Sequence, residues 1–187
     1  MGKNRAFERT YSLNVARLKH GSNQEFFDIG KDFFEYNEYS LVKNGKVNVR
    51  LDIVKYNTHL DVTFYLEGTV ELACDRCTQP YSHSFRSEHR IIYSFDKEMN
   101  FEGYEVMYVS NQEPELVLIQ EFYDFINLSV PIRKVPDPDV HICDPKVLEL
   151  LGLNEKGEQI IPEKEDEEEI IDPRWAELKK LKDKLKD

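Results

Sequence analysis

A chain of 187 residues, 40 % hydrophobic and 12 % aromatic, is long enough to bury one substantial core and short for two. Its 36 acidic against 25 basic residues leave a formal charge of -11, which argues against a protein that coats duplex nucleic acid, because such binding needs a basic face. Three cysteines are too few, and odd in number, for a secreted disulfide framework. Residues 1–20 carry no leader-type apolar segment and no stretch reaches membrane-spanning length, so a cytoplasmic location and no membrane partner are expected.

Residues 1–20 are locally basic, with Lys3, Arg5, Arg9, Arg17 and Lys19 against Glu8. Within them Tyr11, Leu13 and Val15 alternate as on a strand, and Gly21-Ser22-Asn23 reads as a turn. Phe26, Phe27 and Ile29 suggest a second strand, followed by a short helical turn over 32–36. Val47, Val49, Leu51 and Ile53 then alternate with polar residues, the period of a half-buried strand. After a break at Tyr56-Asn57-Thr58 the pattern repeats in Leu60, Val62, Phe64 and Leu66. It continues in phase through Gly68, Val70 and Leu72 to Cys74. Gly68, with no side chain to pack, reads as a bulge or bend. His89, Ile91, Tyr93 and Phe95 form another alternating run, so Cys74-Asp75-Arg76-Cys77 falls in the connection between two antiparallel strands. Val106 to Val109 adds an edge.

From Glu115 the period changes. Leu116, Ile119, Phe122, Tyr123 and Ile126 recur at three and four, which predicts a helix over 114–128 that Pro131 ends. Pro136, Pro138 and Pro145 punctuate an irregular segment carrying His141 and Cys143, and 146–151 suits a short helix closed near Gly152. The expected fold is α+β: a bent antiparallel sheet or partial β-barrel over about residues 8–110, with one packed helix and a C-terminal tail helix. Residues 1–152 would form a single domain. Residues 153–171, with Glu-Lys-Glu-Asp-Glu-Glu-Glu at 163–169, read as an acidic flexible linker. In 172–187, Asp172 before Pro173 is a helix start, and Trp175, Leu178, Leu181 and Leu185 share one face. That face would dock either on its own domain or in a partner's groove, and the acidic tether favours the partner.

Chemistry concentrates at Cys74 and Cys77, and three readings compete. A zinc site wants four nitrogen or sulfur ligands, and Cys143 with His141 could complete a Cys74, Cys77, His141, Cys143 set, although no second Cys-x-x-Cys pair is present. A thiol-redox pair expects a helix running on from the cysteines, whereas Pro80 and the strand pattern beyond it argue otherwise. The third reading is a tight turn with two small apolar side chains packed beneath it, and on the residues alone this one is favoured. The five histidines form no hydrolase or metalloprotease pattern, and the eight glycines form no phosphate-cradling loop. The chain therefore reads as no enzyme, with no small-molecule substrate, and with either no cofactor or zinc.

The motif Gly68-x5-Cys74-Asp75-Arg76-Cys77-x-x-Pro80-Tyr81 resembles the signature of the YceD family of large ribosomal RNA subunit accumulation proteins, with Thr78 where leucine is usual. Leu128-Ser129-Val130-Pro131 resembles that family's post-helix turn, and Asp172-Pro173-Arg174-Trp175 with Leu178-Lys179-Lys180-Leu181 its closing motif. The family motif residues here are Cys74, Arg76, Cys77 and Pro80. The resemblance implies a cytoplasmic, non-enzymatic role in accumulation of large-subunit ribosomal RNA and in ribosome assembly. The partner would be ribosomal RNA, a ribosomal protein or an assembly factor. It supplies no catalytic residue. Contact with RNA would fall to Arg5, Arg9, Arg17 and Lys19, or to Arg76, Arg86 and Arg90 near the motif. Contact with a basic protein would use the acidic surface.

Overall fold

The alternating segments become the long strands of one sheet. A computed structural model describes residues 2–36, 40–99, 101–110, 114–137, 141–154 and 159. In chain order the elements are α1 (Gly2–Thr10), β1 (Ser12–Asn14), β2 (Gly21–Ile29), α2 (Lys31–Tyr36), β3 (Gly45–Lys55) and β4 (His59–Ala73). They continue with β5 (Pro80–Ser94), β6 (Glu105–Tyr108), β7 (Glu115–Val117), α3 (Ile119–Leu128) and α4 (Pro145–Leu150). Five strands form an open sheet of order β2-β3-β4-β5-β6, and β1 pairs with β7 in a separate two-stranded sheet. The molecule is α+β, and the sheet does not close into a barrel.

Period-2 patterning sets which face is buried. Val47, Val49, Leu51 and Ile53 of β3 lie inward beside Leu60, Val62, Phe64 and Leu66 of β4, all essentially without solvent contact. At about 1.5–3 kcal/mol for each large side chain withdrawn from water, these two strands alone anchor the core. The α3 helix covers the same face. Phe122 meets the rings of Tyr11, Phe27 and Phe64, and Phe125 meets Phe64 and lies flat on the His89 imidazole at 4.0 Å. Glu121, also buried, accepts a 3.1 Å hydrogen bond from the Tyr93 hydroxyl.

Several expectations need correction. Residues 2–10 are helical. This segment has little apolar periodicity of its own, and Phe7 holds it by stacking on Tyr36 at 4.5 Å and tilting against Tyr11. Gly21 to Asn23 open β2 instead of turning; the reversal precedes them, and the Asn23 side chain closes it by accepting from Lys19 N–H and donating to the Lys19 carbonyl. Gly68 marks no bulge, because pairing runs unbroken through it to Val47 on one side and Phe85 on the other. The edge strand β6 runs parallel to β5, with Glu105 beside Ile91, so the sheet is not wholly antiparallel. Residues 115–117 form strand, with Leu116 opposite Leu13, and the helix starts at Ile119. Among the described residues α2 and α4 are the short helices expected near 32–36 and 146–151, and α1 is the one helix not expected. The acidic run at 163–169 and the expected tail helix with Trp175, Leu178, Leu181 and Leu185 lie outside the described residues.

Candidate functional site

The inward phase of β4 runs through Val70 and Leu72 and delivers Cys74, 1 % exposed, to the end of the strand. The chain then reverses in six residues before β5. Cys74 N–H donates to the Gln79 carbonyl at 2.9 Å, and Thr78 N–H donates to the Cys74 carbonyl at 2.9 Å. Closing so small a loop puts Thr78 at φ 61°, in the left-handed region that a β-branched residue rarely enters. Its hydroxyl donates to the Cys77 carbonyl at 2.6 Å. The curl also aims the backbone N–H groups of Cys77 and Arg76 at the Cys74 sulfur. Burial by itself would raise the Cys74 thiol, yet these amides, with Cys77 and Cys143, bring it below its ordinary value. Cys77 is equally buried.

Beyond α3 the chain returns to this turn, and Asp75 catches it. Asp75 N–H donates to the Lys134 carbonyl at 2.9 Å, Lys134 N–H donates to the Asp75 carboxylate at 2.7 Å, and the Lys134 ammonium sits 3.3 Å from the other carboxylate oxygen. The Lys134 amide, more than its charge, holds the Asp75 carboxyl below the usual range. Pinned there, the segment carries His141 and Cys143 onto the thiols. Cys143 Sγ lies 3.9 Å from Cys74 Sγ, and His141 Nε2 lies 3.1 Å from Cys77 Sγ. One ligand atom from each of the four residues falls within 4.8 Å of all the others. All three cysteines are free thiols. Burial, followed by the neighbouring Cys77 and Cys74, pushes the Cys143 thiol up to about 12.

The structure thus brings together all four residues nominated from the sequence as metal ligands. No helix runs on from the Cys-x-x-Cys pair as a redox pair would want, because β5 begins at Pro80. Among the family-motif residues, Arg76 is half-buried on the turn and Pro80 opens β5 opposite Ala73. Two residues went unnoticed in the sequence. Asp75 is the anchor of the returning segment, and Thr78 carries the turn's unusual backbone. No sequence signal exposes Asp75, because its partner lies 59 residues on. Of the nominated basic residues near the turn, Arg86 pairs with Glu67 at 2.8 Å and Arg90 is bidentate on Asp61, while Arg76 lies half-buried on the turn itself. At the N-terminus Arg9 faces Glu115 at 3.6 Å, and Arg17 and Lys19 are exposed.

A family model described as large ribosomal RNA subunit accumulation protein YceD matches residues 62–182, more than half of the chain. The chain belongs to the YceD family. The YceD match takes in all but the first three residues of β4, the cysteine turn, α3, the returning segment and the closing Trp175 motif, so all three stretches of sequence resemblance lie inside it. The family description carries a role in the accumulation of large-subunit ribosomal RNA. No curated protein and no solved structure gives a significant match. Among the described residues no helix is long and apolar enough to cross a membrane.

Proposed function

We propose that this protein is a non-enzymatic accessory factor of ribosome assembly in the cytoplasm, acting on the accumulation of large-subunit ribosomal RNA through a basic ribosomal protein or another assembly factor. The observation that carries this reading is the family match across residues 62–182. A protein partner is favoured over direct coating of RNA because the net charge is -11 and two of the three arginines nominated near the cysteine turn, Arg86 and Arg90, are paired with carboxylates. The non-enzymatic reading is supported by the family description, which names an accumulation protein and no reaction. In this reading the acidic run at 163–169 presents the Trp175, Leu178, Leu181 and Leu185 face to the partner.

The experiment is a deletion of the encoding gene in its own host, with the ratio of mature large-subunit to small-subunit ribosomal RNA measured during fast growth and in the cold. A lowered ratio, restored by the intact gene, is the expected result. An unchanged ratio under both conditions overturns the proposal.

A further inference from the structure

We propose that Cys74, Cys77, His141 and Cys143 bind one zinc ion in a closed structural site that clasps the segment after α3 to the β4–β5 turn. The inference concerns the molecule itself and is independent of the role in ribosomal RNA accumulation.

Geometry is the first support. A tetrahedral zinc with bonds of about 2.3 Å to sulfur and about 2.0 Å to nitrogen sets its ligands roughly 3.5–3.8 Å apart. The Cys74–Cys143 sulfur separation of 3.9 Å already fits such an edge, and all four ligand atoms lie within 4.8 Å of one another. Cys77 and His141, at 3.1 Å, need only move apart by a few tenths of an ångström. Any separation at the 4.8 Å bound would have to shorten by about 1 Å for all four atoms to reach one ion.

The second support is the turn. Backbone N–H groups of Cys77 and Arg76 point at the Cys74 sulfur, donors that suit a thiolate carrying charge in a metal site and have little use beneath a neutral thiol. Thr78 holds a left-handed backbone to make that curl, and strain of this kind persists where the surroundings require it. Third, an apolar plug of this corner would need no imidazole, yet His141 points its Nε2 at Cys77 and packs its ring 6.0 Å from that of Tyr81. Fourth, Asp75 and Lys134 hold the returning segment in place through hydrogen bonds separate from the thiols, so the His141–Cys143 pair is presented rather than left to find its way.

The donor set selects the ion. Three thiolates and one neutral imidazole form the Cys3His combination of structural zinc sites. Oxygen-seeking calcium and magnesium are excluded by the absence of a carboxylate from the set. Four protein ligands leave no open position for water, so the site is structural and not hydrolytic. Binding replaces the sulfur protons, up to three per zinc, and these leave to solvent.

The test uses the full chain purified under reducing conditions without chelator or metal-affinity resin. Elemental analysis is expected to find about one zinc per chain. Replacement of the native metal by Co2+ is expected to give the intense visible absorption of a tetrahedral site and a thiolate-to-cobalt charge-transfer band. Cys143→Ser and His141→Ala lie outside the five-stranded sheet, and each is expected to lose at least nine tenths of the bound zinc while keeping its far-ultraviolet circular dichroism. Should either variant fail to fold, the cobalt spectrum of the wild-type chain decides. Three results would each overturn the proposal: fewer than one zinc per ten folded chains with no tetrahedral cobalt spectrum; zinc content unchanged in both folded variants; or a mass two units low that marks a Cys74–Cys143 disulfide in freshly purified protein.

Discussion

At Gly68 the neighbouring strand comes so close that a Cβ atom would overlap the Lys46 carbonyl and crowd the Val47 backbone. Neither is the tip of a side chain that could swing away. Gly68→Ala is therefore expected to destabilise the fold by about 1–3 kcal/mol or more, the range of overpacked cores; a urea midpoint equal to wild type would refute the close packing. Glu121 offers a test by pH. Burial, then Asp124 and Glu105, raise its carboxyl above the ordinary 4.5, although its own backbone amide and the Tyr93 hydroxyl pull the other way. A carboxyl raised in the folded state contributes stability that is complete below its unfolded value and lost as pH climbs through the folded one. The imidazole of His89, stacked on Phe125 and lowered chiefly by desolvation, acts with opposite sign, losing stability as pH falls below 6.5. Comparing Glu121→Gln with wild type isolates the carboxyl: denaturation across a pH series should find the variant gaining on wild type as pH rises above 4.5, with parallel profiles as the contrary outcome.

Among the elements, α3 shows most clearly what packing adds to pattern. Phe122 is fully buried and touches three other rings, so Phe122→Ala should cost about 3–5 kcal/mol, read as a lower denaturant midpoint. A loss under 1 kcal/mol would mean that the helix does not cover the sheet as described. The periodicity that located this helix also drew in Leu116, which belongs to β7. Leu116 fits either element by spacing, and the decision falls to Leu13, its partner across the two-stranded sheet and about a hundred residues earlier. α1 was illegible for a related reason: its one large apolar residue, Phe7, acquires meaning only once Tyr36 and Tyr11 are beside it. The long strands were legible because each buries one face along its whole length, which writes the period into the chain. Direction leaves no such trace, so the parallel pairing of β6 was not foreseen.

For the whole molecule, the succession of β3, β4 and β5 was legible from alternating runs joined by short breaks, while the placing of β2, the openness of the sheet and the second, two-stranded sheet were not. The site was half legible. The spacing of Cys74 and Cys77 announced a shared turn, but His141 and Cys143 could be joined to it only as a formal possibility, since their proximity depends on Asp75 holding Lys134. That proximity has a topological consequence. Residues 74 and 143 are 69 positions apart, and their meeting shuts β5, β6, β7 and α3 into one ring of chain, with β1 to β4 outside it. Closing a ring of that size costs an unlinked chain about 4 kcal/mol in entropy, and a covalent or coordinate link that persists on unfolding relieves the folded state of that cost. With the proposed zinc bound, a few side chains in one corner would govern the freedom of more than a third of the protein.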